Sequence, residues 1–350
     1  AGYAPNPAYS QTEEYDGTSW TISSASLAAA INPGGNNGLG TASAALTAGG
    51  QTSTAIVATT EEYNSNLNTT ISAAWASGGN LNTGNLGMGS AGIQTAALSA
   101  GGYNGTNITQ TEEYNGSGWA SGGAMNTARR YGGSTGTQTA ALVFGGFPPA
   151  LTTTESYNGS SWTTVNSMGT ARYQIGGAGI QTAALAFGGG LPGKSTVTEE
   201  FDGTNWTAGG ALNTSRLALG GAGIQTAALA FAGNITPGNT TATEEYNGSS
   251  WTSVNSMNTS RDTLAGRGTQ TSALGYGGGT PTPSTATESY DGTSWATTAN
   301  LGTARYGLGG AGADSTSSLA FGGGPPAGLT NTEEFTGDTE VITASTLTTS

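Results

Sequence analysis

Apolar residues in this 350-residue chain come in short runs. A run such as Ala183-Ala184-Leu185-Ala186-Phe187 closes on Gly188-Gly189, and its counterparts close at Gly50, Gly102, Gly146, Gly233, Gly278 and Gly323. Short apolar runs bounded by glycine fit buried strands, and the three-and-four spacing of an amphipathic helix is absent. Between the runs the chain is polar. One polar block, Thr-Glu-[Glu/Ser]-[Tyr/Phe], occurs eight times, with its leading acid at Glu13, Glu61, Glu112, Glu155, Glu199, Glu244, Glu288 and Glu333, at intervals of 48, 51, 43, 44, 45, 44 and 45 residues. A Trp follows every block but the last: Trp20, Trp75, Trp119, Trp162, Trp206, Trp251 and Trp295. Ten residues after five of these comes an Arg, at Arg129, Arg172, Arg216, Arg261 and Arg305.

Each unit of about 44 residues therefore predicts four short strands. A Gly-rich strand follows the Arg (306–310 in the last unit), and a tight turn at 311–314 leads into the apolar run. After a variable loop come the acid-block strand, an Asn-Gly or Asp-Gly turn (Asp16-Gly17, Asn115-Gly116, Asn158-Gly159, Asp202-Gly203, Asn247-Gly248, Asp291-Gly292) and the Trp strand. Such dipeptides signal hairpins because both central positions of a two-residue turn take positive φ. The second unit departs: Trp75 lies 13 positions after Glu62, where other units have 6, so a longer loop is expected there. Four strands per unit at this period predict an all-β, seven-bladed β-propeller with four-stranded antiparallel blades, small residues on the crowded inner strand and aromatics outside. The rival solenoid at this period is mostly helical, which so many glycines disfavour.

Composition narrows the chemistry. With no Cys and no His, the chain has no disulfides, no imidazole or thiolate metal ligands and no Ser-His or Cys-His nucleophile. Eight basic against 21 acidic residues, a net charge of −13, opposes nucleic-acid binding. No run of 18 apolar residues is present to predict a membrane-spanning helix.

An aromatic or acid at the same place in every repeat reads as packing that each blade needs equally, ahead of sugar stacking, acid–base catalysis or calcium ligation. Adjacent Glu residues on a strand point to opposite faces, so one of each pair lies inward and needs a partner. The Arg 26 to 28 residues upstream is the candidate, pairing with Glu155, Glu199, Glu244 and Glu288 among others. On that reading Arg216→Ala costs far more than Arg267→Ala. The units before Glu61 and Glu112 lack the Arg. Asn-x-Ser/Thr sequons are expected by chance in such a composition. Only Asp262 and Asp314 stand out as loop acids for a carboxylate-only glycosidase or lyase.

The order Arg, apolar strand ending Gly-Gly, acid-x-Tyr, Asp/Asn-Gly, Trp resembles the kelch repeat of galactose-oxidase-like propellers over residues 12–335. Galactose oxidase activity is not implied, since its copper and crosslink need His and Cys. The Asp-Gly-Thr-Ser-Trp segments are only weakly similar to the sialidase Asp box. The wording of the repeats (Thr-Glu-Glu-Tyr-Asn-Gly-Ser-Ser-Trp-Thr, Gly-Ile-Gln-Thr-Ala-Ala-Leu-Ala-Phe-Gly-Gly) is similar to kelch-like proteins of marine tailed bacteriophages. That resemblance implies a non-enzymatic virion component without cofactors, a tail fibre or surface appendage, whose partners are other virion proteins and a host glycan or receptor. A secreted bacterial carbohydrate-binding propeller is the alternative. The expected contact elements are the loops after Gly-Gly, such as Pro148-Pro149, Pro192-Gly193-Lys194 and Pro281-Thr282-Pro283. The expected organisation is one propeller domain over 1–350, with 336–350 as a C-terminal extension. The ring is expected to close by the strands around 13–20 completing the blade begun at 306–323, so that no edge is exposed.

Overall fold

Every named element among the described residues is a β-strand; the computed structural model describes residues 9–15, 19–31, 39–41, 44–51, 56–279, 282–324 and 327–349. They divide into two compact units, one of residues 73–337 and one of residues 1–72 with 338–350. Seven four-stranded antiparallel sheets are present, six of them in residues 73–337. The seventh (Leu39–Thr41, Ala44–Gln51, Ile56–Ile71 and Thr339–Thr349) belongs to the other unit, as does a two-stranded pair of Tyr9–Tyr15 with Trp20–Ile31.

Within 73–337 the sheets follow one another along the chain as sheets 1 to 6, spanning residues 89–121, 133–165, 176–208, 220–254, 265–297 and 309–336. Sheet 2 shows the plan: Gly133–Gly136, Ala141–Phe144, Thr154–Tyr157 and Trp162–Val165 pair in chain order. The apolar second strand is buried along its whole length, as expected for a strand covered on both faces. First strands of successive sheets are neighbours, from sheet 1 through sheet 6 and from sheet 6 back to sheet 1. Their approach explains the glycines. A Cβ on Gly177 would sit 2.7 Å from the Ser134 carbonyl oxygen, and one on Gly221 would sit 2.7 Å from that of Gly177, so backbone meets backbone there. These repeated sheets are consistent with a β-propeller.

Immediately before the first strands, six backbone hydrogen bonds form a cycle. Gly87 N–H donates to the Gly307 carbonyl, Gly307 to Thr263, Thr263 to Ala218, Ala218 to Gln174, Gln174 to Tyr131, and Tyr131 to Gly87, at 2.6–2.9 Å. All six residues take positive φ, between 49° and 66°.

Several expectations are corrected. The Gly-rich strand of the last unit is Gly309–Asp314, and its turn lies at 315–316. The Asn-Gly hairpins are not two-residue turns: Tyr114 pairs with Trp119 across four loop residues. Asn115 Oδ1 accepts the N–H groups of Ser117 and Gly118, and in this turn only Gly116 has positive φ. Asp202 and Asp291 make the same contacts, and these backbone N–H groups hold their carboxyls below the ordinary range. The Asp16-Gly17 turn lies outside the described residues.

The blade-completing strand also differs. Trp20 pairs with Tyr15 and is 66% exposed. The sheet begun at Gly309 is completed by Ala74–Ser77, with Phe335 opposite Trp75 and Thr336 opposite Ala74. Glu333 therefore stands on an ordinary third strand, and residues 63–71 continue the strand Ile56–Ile71 where a loop was expected. Spacing alone could not reveal that Trp75 belongs with an acid block 258 residues away.

A chain trimmed to residues 73–337 is expected to unfold in one cooperative transition in urea, followed by Trp fluorescence. Trimming to 78–337 removes the fourth strand of sheet 6 and is expected to lower the midpoint and broaden the transition. Equal transitions for the two would show that this strand contributes nothing.

Candidate binding face

The acid block anchors each sheet. In sheet 2 the buried Glu155 accepts Arg129 Nη2 at 2.5 Å, the N–H groups of Asn126 and Thr127 at 2.7 and 3.1 Å, and Asn126 Nδ2 at 3.0 Å. Arg129 Nη1 donates to the carbonyls of Gly145 and Thr153. Arg172, Arg216, Arg261 and Arg305 pair likewise with Glu199, Glu244, Glu288 and Glu333 at 2.8–3.0 Å, all five Arg being at most 1% exposed. Burial lowers each guanidinium pKa, Arg216 to about 10, while its carboxylate opposes the shift. Sheet 1 has Asn85 where the Arg would stand, and there Gln110 Nε2 donates to Glu112 at 3.1 Å. The side chain of Glu61 lies outside the described residues.

The recurrent aromatics join neighbouring sheets. Trp119, Trp162, Trp206, Trp251, Trp295 and Trp75 each donate Nε1 to the threonine of the preceding sheet's acid block, from Thr332 through Thr111, Thr154, Thr198 and Thr243 to Thr287, at 3.0–3.2 Å. Five of the six also pack within 5.1 Å, centroid to centroid, of a Phe or Tyr on the preceding sheet's second strand. The second acid of the block accepts a phenol from the next sheet, as Glu113 does from Tyr157 and Glu200 from Tyr246. Burial and that carboxylate push Tyr114, Tyr157 and Tyr246 up to about 12. Sequence reading passed over one further staple: Gln138, Gln181, Gln225, Gln270 and Gln94 each donate to two backbone carbonyls of the preceding sheet. Its signal was in the repeated Gln-Thr after the first strand.

The framework repeats, but one end of the sheets does not. The residue after each Arg, or after Asn85, forms an isolated bridge with the residue following Gly-Gly: Leu86 with Tyr103, Arg130 with Phe147, Tyr173 with Gly190, Leu217 with Asn234, Asp262 with Gly279, Tyr306 with Gly324. These equivalent positions carry two aliphatics, a cation, an acid and two phenols. They adjoin the hydrogen-bond cycle, whose side chains also vary (Tyr131, Gln174, Ala218, Thr263, and glycine twice). Here the loops bearing Pro148, Pro149 and Lys194 begin; Pro281 lies outside the described residues.

Arg130 is the centre of the cluster. Its guanidinium carbon lies 4.4 Å from the Tyr103 ring centroid, 5.5 Å from Phe147 and 5.7 Å from Tyr131, and Phe147 packs 5.3 Å from Tyr173. Its buried Nε has no hydrogen-bond partner among the described residues. The Tyr131 ring lies against Gly87, where a Cβ would come within 2.7 Å of it. Burial raises the Tyr131 pKa; Arg130 opposes this, and Tyr306 and Asp262 add to it. Tyr131 thus feels groups from the segments that precede sheets 2, 5 and 6. Burial also raises the Asp262 carboxyl, which accepts the Thr263 hydroxyl at 3.1 Å. Arg130 broke the Thr-Ala-Arg-Tyr wording of its unit, and comparing repeats position by position exposes it.

Asp262 and Asp314 do not meet. Asp262 precedes its first strand, whereas Asp314 ends the neighbouring one and caps Thr316 at an exposed turn. Six strand residues span about 20 Å, beyond the roughly 5–10 Å between paired glycosidase carboxylates. Among the described residues no group of three or more His, Cys, Asp or Glu could hold a metal ion, and no helix is long and apolar enough to cross a membrane.

Arg216→Ala is expected to cost about 3–5 kcal/mol in urea unfolding, because it strands a buried carboxylate. Arg267 is unsuitable as the mild comparison, since it lies among the first strands; Lys194→Ala, at a surface loop, is expected to stay within about 0.5 kcal/mol. For the phenols, the sign follows from a folded pKa above the unfolded one: their stabilisation is complete below pH 10 and is lost as pH rises through about 12. Tyr157→Phe should therefore flatten the fall of melting temperature between pH 9 and 12, and an unchanged slope would count against the bond to Glu113.

No family model matches the chain, and no curated protein matches it.

Proposed function

We propose that residues 73–337 form a closed six-bladed propeller acting as a non-enzymatic binding module, with the face around Arg130, Tyr131, Tyr173 and Asp262 as its contact surface. One observation carries this reading. Six equivalent positions diverge at that face while the Trp, Thr, Glu and Arg framework repeats. Four non-glycine residues also hold positive φ there, at roughly 1–3 kcal/mol each, a strain that glycine would relieve and that a functional side chain would justify. A guanidinium stacked among aromatic rings suits a polar ligand with flat faces, such as a glycan.

The chain enters and leaves this unit on paired strands, Ala74 opposite Thr336, at the outer edge of sheet 6. That arrangement suits a module carried on a longer polypeptide. The repeat wording, similar to that of marine phage kelch-like proteins, extends the proposal to a virion surface appendage that meets a host glycan or receptor. The same face favours the secreted carbohydrate-binding reading if the protein is absent from particles.

Arg130→Ala is expected to reduce glycan-array or host-cell binding at least tenfold with little change in melting temperature. Gln174→Gly should hold or raise the melting temperature while weakening binding. Full binding by both variants would remove this face from consideration. Peptide mass spectrometry of density-purified particles decides between the appendage and the secreted protein.

A further inference from the structure

The cavity between the six first strands, about 90 Å³, contains one cation. Arg267 faces Leu274 across its sheet, a register at which sheets 1, 3, 4 and 6 have alanine and sheet 2 has Thr135. Unlike the five framework arginines, it has no carboxylate within salt-bridge distance among the described residues. Its contacts are neutral: Nε to the Gly310 carbonyl at 2.7 Å, Nη1 to that of Gly266 at 2.9 Å, and Nη2 to the carbonyl and hydroxyl of Ser90, both at 2.6 Å. Four contacts leave one of the five guanidinium N–H groups uncommitted.

Ser90 completes the arrangement. Its hydroxyl oxygen already accepts from Arg267 and from the Gly310 N–H at 3.2 Å. Its proton has no acceptor among the described residues. A half-buried positive charge whose partners are all neutral is favoured by a nearby anion, and burial lowers this guanidinium's pKa, opposed by the Tyr276 phenol and by no carboxylate.

We propose that the cavity is a binding site for a small inorganic anion, a halide such as chloride, held by Arg267 and the Ser90 hydroxyl. About 90 Å³ is well above the roughly 10–15 Å³ that a single water needs. That leaves room for a monoatomic anion together with water. Such an ion neutralises the one cation that lines the cavity and bridges sheets 1 and 5.

The test is the melting temperature of the full chain titrated with sodium chloride, with sodium gluconate holding ionic strength constant. Chloride at ten times its dissociation constant should lower the unfolding equilibrium constant about elevenfold. Arg267→Met should abolish the dependence, and Ser90→Ala, which keeps the cation, should weaken it and serves if Arg267→Met does not fold. A bromide-soaked crystal should give an anomalous peak within hydrogen-bond distance of Arg267. No chloride dependence in the wild type, an equal dependence in the variants, or a crystal without that peak would overturn the proposal.

Discussion

The buried carboxylate of the acid block is the interaction on which the rest depends. Glu155 collects two backbone N–H groups, an amide and a guanidinium, and that guanidinium reaches on to the carbonyls of Gly145 and Thr153. One ion pair thus ties the segment between two sheets to the ends of the second and third strands. The next residues in that segment are Arg130 and Tyr131, so the framework pair also sets the backbone of the candidate face. Such a pair adds little over well-packed apolar groups, but losing one partner leaves an unpaired buried charge. Sheet 1 meets the same need without a cation, because Gln110 supplies the missing donor.

No sheet of this kind can hide its own faces, and the contacts between sheets follow from that. Each Trp reaches back to a threonine one sheet earlier, and the glutamines bridge in the same direction. Because every sheet makes the same demand of its neighbour, these residues are repeated. Residues at the hydrogen-bond cycle answer a different demand. Only their backbone is needed for the cycle, which leaves their side chains free to differ, and the positive φ they share makes glycine the cheapest choice. Tyr131, Gln174, Ala218 and Thr263 depart from that choice.

Much of this was legible beforehand. The strand-per-segment reading, the pairing of Arg with the first acid and the interlocking of the aromatics came from residues whose requirement recurs at a fixed period. Other features were not legible, for identifiable reasons. The hairpin turns were misjudged because the Asn115 side chain, and no second positive φ, closes the loop. Trp20 keeps the usual spacing from its acid block and Trp75 does not, yet the first is exposed and the second packs on Tyr276 and Phe335. Arg267 stood as the milder comparison to Arg216 because it lies outside the recurring Arg register, and spacing does not show that it lines the cavity between the first strands.

The sequence by itself determined what each repeat must be: a glycine-edged apolar strand, an acid needing a partner, and an aromatic needing a neighbouring sheet. These are local or fixed-distance requirements, and periodicity records them. Tertiary structure alone decided which strand completes the last sheet, that six sheets lie in residues 73–337 with a seventh in the other unit, and that Arg130, Tyr131, Asp262 and Tyr306 approach one another from the segments before three different sheets. Those outcomes depend on contacts between residues far apart in the chain, where backbone packing among the first strands and the register of sheet 6 set the distances, and no spacing along the sequence encodes them.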